Sequence, residues 1–247
     1  MIQKNERRRY ASDLSDSQWA IIAPLFPPAG NRSKWEKREL VDAVLYFIDN
    51  GCKWRNLYAI LGPSGCGKTT LLSLLGGLDS PSSGQILYQG EDIAKTDLAD
   101  HRRSHVAFIF QSYNLIDYLT PVENVALTAK HPPLPILEQL GLTAEEAKRN
   151  VLKLSGGQQQ RVAIARALAS DAQVILADEP TGNLDEDTAA EIIAILKDST
   201  HKSGKCVVIV THSNELAKEA DVVFQLRKGE LQITGLSDIG SHKGHKN

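Results

Sequence analysis

The sequence predicts an α/β fold with a parallel core sheet, and three observations carry that prediction. Short apolar runs recur along the chain: LYAIL at 57–61, VILAD at 174–178 and CVVIV at 206–210. Each is followed by polar residues, as buried parallel strands are when they deliver side chains at their C-terminal edge. The first run leads through a glycine-rich loop into the helical pattern TLLSLLGGL, the strand, loop and helix order of a phosphate site. Finally, 247 residues at 42% hydrophobic content suffice for one full α/β domain with an appendage, long enough to bury a sizeable core.

The loop itself, Gly62 to Thr69, reads GPSGCGKT and fits G-x-x-x-x-G-K-[ST]. Glycines 62, 65 and 67 let the backbone curl so that successive N–H groups face phosphate oxygens, with Pro63, Ser64 and Cys66 completing the curl. The following helix begins with Thr69 and Thr70 and presents its positive end to the same anion. Lys68 is expected to reach the β and γ phosphates, and the Thr69 hydroxyl to ligate Mg²⁺. Downstream, SGQILYQGEDI (83–93) reads as short antiparallel strands. The acidic end of the second apolar run, Asp178 and Glu179, completes a metal site: Asp178 would hold the ion and Glu179 would orient or deprotonate the attacking water.

LSGGQQQRVAIARALA, 154–169, carries Ser155 as N-cap and Gln158 three residues on, a capping box, with Val162, Ala165 and Leu168 at helical spacing. Gly156 and Gly157 leave the N–H donors of that helix end unobstructed, which makes a second anion-binding site. A chain with two such sites resembles the ATP-binding cassette (ABC) ATPases, whose LSGGQ signature from one subunit closes over the γ-phosphate held by the other subunit's phosphate loop.

The resemblance runs from about Tyr58 to about Ile233. It implies a P-loop NTPase fold with a parallel core sheet, an antiparallel β-subdomain and a helical subdomain at about 112–165, which contains KHPPLPILEQLGLTAEEAKRN (130–150), an irregular Pro-rich entry followed by a helical pattern. It further implies Gln111 in the Q-loop (FIFQSYNL), sensing γ-phosphate and Mg²⁺; Asp185 in the D-loop (EPTGNLD), facing across a dimer; and His212 at the switch position (VIVTHS), contacting the γ-phosphate. The cofactors are then ATP and Mg²⁺. The partners are a second copy of the chain, head to tail, and a transmembrane permease. DEPTGNLD and SYNLIDYLTPVENV look like the ATPases of exporters and extractors of lipoproteins, bacteriocins and antimicrobial peptides.

Residues 1–57 do not fit that pattern. The family carries two or more strands and an adenine-stacking aromatic ahead of its loop, and here they are replaced. RRYASDLSDSQWAIIAPLFPP and ELVDAVLYFIDNGCKWRNL resemble the N-terminal end of insertion-sequence transposases, which implies a gene fusion at about Leu57 and an atypical helical N-terminus. The residues agree: Ser15 is a candidate N-cap, Trp19, Ile22 and Leu25 or Phe26 share a face, and Leu40, Val44, Phe47 and Ile48 form a second stripe. All three tryptophans (Trp19, Trp35, Trp54) lie here, and residues 1–55 carry ten Lys/Arg against seven Asp/Glu while the rest of the chain is net acidic. The cluster Arg7–Arg9 could touch DNA phosphates, although a solvated arm is the commoner outcome for such a cluster, so DNA is not expected as a partner. The truncated β-subdomain should expose strand edges and apolar side chains, and ATP affinity should fall without base stacking.

No apolar run is long enough to span a bilayer and the N-terminus lacks a signal-peptide core, so the chain is expected in the cytoplasm, peripheral on the inner face of the membrane. Three cysteines without ligand spacing agree with a reducing compartment. Residues 236–247 are rich in Gly, Ser and His and read as a frayed tail. Two readings stand beside the transporter ATPase: a fusion product with impaired or no activity, and a transposase-derived DNA-binding protein.

Overall fold

The computed structural model describes residues 56–182, 184–227 and 230–234. The expected N-terminal helices and the tail lie outside the described residues. Eight strands are described: β1 (Leu57–Leu61), β2 (Leu87–Tyr88), β3 (Glu91–Asp92), β4 (Val106–Ile109), β5 (Val174–Asp178), β6 (Cys206–Thr211), β7 (Val222–Arg227) and β8 (Glu230–Thr234). Six of them form one sheet in the order β4-β5-β6-β1-β7-β8, and β2 pairs with β3 in a separate hairpin. All pairs in the large sheet are parallel except β7 with β8. This is the predicted α/β architecture.

β1 and β6 are buried at every residue, which is why they read as continuous apolar runs rather than alternating ones. β1 is central, flanked by β6 and β7. Its first backbone groups are satisfied from below: Leu57 N–H donates to the Asp221 carboxylate at 2.7 Å, and Asp221 N–H returns to the Leu57 carbonyl at 2.9 Å. The expected fusion junction therefore enters a strand buried along its whole length, where an unpaired N–H would be costly.

Seven α-helices are described: α1 (Lys68–Leu75), α2 (Leu98–Ser104), α3 (Pro121–Ala126), α4 (Pro133–Gln139), α5 (Gly156–Leu168), α6 (Glu186–Ser203) and α7 (Asn214–Lys218). Helix α5 starts at Ser155, whose hydroxyl accepts from Gln158 N–H, with the reciprocal bond that completes the expected capping box. The Pro-rich entry is short: Lys130 to Pro132 lie outside any helix, and the helical pattern starts at once after them. Helix α4 begins at Pro133, with Pro132 as N-cap, because proline in a first turn gives up only an N–H that has no helical partner anyway.

The hairpin also departs from expectation in one respect. β2 and β3 hold two residues each, yet Leu87 and Tyr88 are half-buried rather than exposed. Tyr88 stacks on His105 with centroids 4.6 Å apart and meets His101 edge-on at 5.3 Å.

Candidate nucleotide site

The phosphate loop turns directly off the central strand. Gly67 (φ 101°) and Gly65 (φ 76°) are left-handed, a conformation costly for residues with a Cβ. Gly62 is demanded by contact instead: a Cβ there would stand 2.5 Å from Cys66 Sγ and 2.7 Å from the Leu226 carbonyl of β7. No side chain caps α1, so its first N–H groups remain available to an anion. Lys68 is buried, its ammonium donating to the Gly62 and Pro63 carbonyls at 2.8 and 3.0 Å, which holds it inside the curl. Pro63, Ser64, Thr69 and Thr70 are exposed, and Cys66 is half-buried.

Strand register carries the acidic residues to the same edge. Asp178 lies opposite Val210, and Val210 opposite Ile60, two residues before the loop. With strands about 4.8 Å apart, Asp178 is placed roughly 10 Å across the edge from the start of the loop. Glu179 follows at φ 45°, a strained conformation for a non-glycine residue. Several bonds hold it there. Its N–H donates to the Val210 carbonyl and its carbonyl accepts from Gly182 N–H. Its carboxylate accepts from Thr211 Oγ1 at 3.0 Å, while His212 Nδ1 lies 2.9 Å from Oε1. With Glu179 ionised, Nδ1 bears the proton and Nε2 is left to face outward; the imidazole is 66% exposed against 12% for the carboxylate. Gln111, two residues past β4, also reaches this turn: its Nε2 lies 3.7 Å from where a Cβ on Gly182 would stand. Lys68, Gln111, Asp178, Glu179 and His212 thus share the C-terminal edge of the sheet, the position at which open α/β sheets bind ligands.

The signature residues form a separate cleft of about 410 Å³, lined by Ser155, Gly157, Gln158 and Arg161 with Asp185 and Thr188. Gln158 is engaged at both ends of its amide: Oε1 accepts from Ser155 N–H at 2.9 Å and Nε2 donates to Glu146 at 2.7 Å. Asp185 caps α6 through Thr188 N–H, and that bond above all draws its carboxyl below the usual range. Gly156 faces Tyr113, whose hydroxyl would be 3.1 Å from an added Cβ.

Two family models match the chain. The ABC transporter model matches residues 48–182. This chain belongs to the ABC transporter family. A model of IS4/5-family transposases matches residues 14–66, so both signatures claim 48–66 and the fused character read from the N-terminal segment is borne out. The ABC transporter ATP-binding protein YclH of Bacillus subtilis is 45% identical over 186 residues, covering 71% of this chain and 82% of that protein. The macrolide export ATP-binding/permease protein MacB 2 of Aeromonas hydrophila is 41% identical over 222 residues, 85% of this chain. This chain spans only 34% of that protein's length. Among solved structures, the dimeric bacterial ABC transporter cassette MJ0796 aligns with a TM-score of 0.68 at 38% identity, covering 73% of this chain and 85% of that one. A post-hydrolysis state of the same cassette bound to ADP and Pi aligns equally well, at a TM-score of 0.68.

Several residues that build the site carried no signal in the sequence. Thr211 holds Glu179, yet reads only as the end of an apolar strand. Arg166 of α5 donates to the Asn114 and Tyr113 carbonyls at 2.7 and 3.0 Å, fixing two consecutive left-handed residues just past Gln111. Asn124, fully buried, binds Ile116 N–H, the Ile116 carbonyl and the Thr120 carbonyl. Such contacts join residues far apart in sequence, and only the fold brings them together.

Proposed function

We propose that this chain is the ATP-hydrolysing subunit of an ABC exporter, closing head to tail with a second copy around two Mg-ATP molecules and driving a membrane permease. The observation that supports this most directly is the shared sheet edge: a phosphate loop, a metal-type carboxylate, a half-buried Glu179 oriented by Thr211 and His212, and Gln111 converge there, while Ser155 and Gly157 stand in a separate cleft. One chain presents both halves of a composite site but does not bring them together, which is what a two-copy arrangement requires.

In this reading Gly62 through Thr70 bind the phosphates, with Lys68 exchanging its loop carbonyls for phosphate oxygens. Thr69, Asp178 and Gln111 offer hard oxygen donors of the type Mg²⁺ takes. No described side chain or amide donates to the Asp178 carboxylate, which leaves it free for a cation. Among the described residues no group of three His, Cys, Asp or Glu is arranged to hold a metal, in keeping with an ion that takes one or two protein oxygens and completes its shell with phosphate and water. Bound there, the ion would neutralise charge on the β and γ oxygens. Glu179 accepts the proton of the attacking water, and His212 turns Nε2 toward the γ-phosphate. Ser155, Gly156 and Gly157 serve the partner's nucleotide through their N–H groups, Gln158 shapes that turn, and Asp185 faces the second copy. Catalysis is positioning and electrostatics.

We place the cassette at 58–235 with its helical subdomain at 112–165, behind a transposase-like segment at 1–57. No described helix is long and apolar enough to cross a membrane, and the chain would act at the inner face through its permease. The test is Mg-ATP titration of the purified chain, read by melting temperature and phosphate release. A rise of several degrees with release of phosphate is expected, and Lys68→Ala should lose both. No shift and no release would favour an inactive fusion product. DNA contact by the N-terminal segment, suggested by the IS4/5 match, would show as affinity falling steeply with salt.

A further inference from the structure

We propose that Gln160 is a positioning residue for the Glu179 turn, linking the signature helix to the chain's own hydrolytic base; this rests on the ATPase reading above. Gln160 sits on α5 five residues beyond Ser155, roughly 7.5 Å along the helix. Its side chain is 2% exposed, so it meets no nucleotide. Its Nε2 donates to the Pro180 carbonyl at 2.6 Å. A carbonyl only accepts, so the orientation of the amide is fixed by chemistry.

The other end of that amide has no partner: Gln160 Oε1 is buried and unbonded. An apolar side chain of the same shape would avoid desolvating a group whose second half goes unsatisfied. Stability alone therefore does not favour glutamine here, and what its amide contributes is the place of Pro180. Pro180 follows Glu179 directly, and Glu179 is held against its own backbone preference at φ 45°. β6 fixes the near side of the turn through the Val210 carbonyl and Thr211. Gln160 fixes the far side, and among the described residues it is the one hydrogen bond that α5 makes to this turn. Any shift of α5 when Ser155 engages the partner's nucleotide then reaches Glu179 of the same chain through one hydrogen bond, so occupancy of one site is felt by the base of the other.

The experiment compares the full chain with Gln160→Met, which keeps the shape and loses the donor, and Gln160→Glu, whose carboxyl can donate to Pro180 only when protonated. For Gln160→Met we expect the Mg-ATP-induced melting shift and KM to stay at wild-type values, kcat to fall about 10- to 100-fold, and amide exchange at Glu179–Gly182 to speed up even without nucleotide. For Gln160→Glu, activity relative to wild type should rise as pH is lowered from about 8 to about 6. Wild-type turnover with unchanged amide exchange in Gln160→Met would overturn the proposal, as would parallel losses in KM and melting shift. Should that variant not fold, a pH-independent activity ratio for Gln160→Glu overturns it alone. If the unmodified chain releases no phosphate, the ATPase reading falls with it; a hydrolysing wild type beside an unaffected Met variant sinks only the role of Gln160.

Discussion

At the C-terminal edge of the parallel sheet, Glu179 is held in a strained conformation by β6, by its own turn and by α5. In the β2–β3 hairpin, two residues per strand turn through Gln89 (φ 53°) and Gly90 (φ 86°), and the main support is the half-buried packing of Leu87 and Tyr88 with Ile93 beneath. The first region spends bonds on one unfavourable rotation. The second uses the two positive-φ residues that a tight hairpin prefers and the ring contacts of Tyr88 with His101 and His105. The contrast separates the parallel sheet edge, where Lys68, Gln111, Asp178, Glu179 and His212 converge, from the antiparallel hairpin, which among the described residues holds two residues per strand.

The largest effect should come from the strained edge. Glu179→Gln keeps the shape and both ties to the backbone but loses the base, so phosphate release should drop about 10²- to 10⁴-fold while the Mg-ATP melting shift persists. Equal loss of binding would mean that Glu179 holds the fold of the site rather than the proton. Next comes the difference in packing. Leu196→Ala, at a fully buried position, should cost about 2–5 kcal/mol in urea unfolding, whereas Leu87→Ala in the hairpin should cost about 1 kcal/mol. Equal costs would show that the hairpin is as integral to the core as the sheet.

Gly62→Ala should cost about 1–3 kcal/mol, because the Leu226 carbonyl that meets the new Cβ belongs to a paired strand and cannot retreat. Gly156→Ala, facing the end of a tyrosine side chain at 3.1 Å, should cost less and shift nucleotide-dependent dimerisation instead.

The smallest effect is the pH response of the helical region. Backbone N–H bonds from Thr120 and Thr143 hold the Glu123 and Glu146 carboxyls below the usual range. Folded carboxyls that resist protonation stabilise above the unfolded value near pH 4.3 and lose that contribution as pH falls through the lower folded values. The melting temperature should therefore drop below about pH 5, and less so in Glu146→Gln. A variant with the wild-type acid profile would remove Glu146 from the account.

The strands that buried themselves on both faces were legible, since LYAIL, VILAD and CVVIV admit no alternation, and so was the capping box at Ser155, whose two members lie three residues apart. Strand order and the convergence of Gln111 with Glu179 follow from register, which no local pattern encodes. The Pro-rich entry gave no exact helix start, because proline reads as a breaker while Pro133 opens a helix in which its missing N–H is harmless. Gln160 and Arg166 gave no sign, being polar residues in a helix whose motif drew attention to its first turn.

The central claim, that two copies complete one another's site, is tested most directly by the mass of Glu179→Gln on a sizing column with and without Mg-ATP. A monomer without nucleotide and a dimer with it are expected, the dimer being lost again in the Glu179→Gln, Lys68→Ala double variant. A monomer at saturating Mg-ATP, in a chain whose melting temperature the nucleotide does raise, would contradict it.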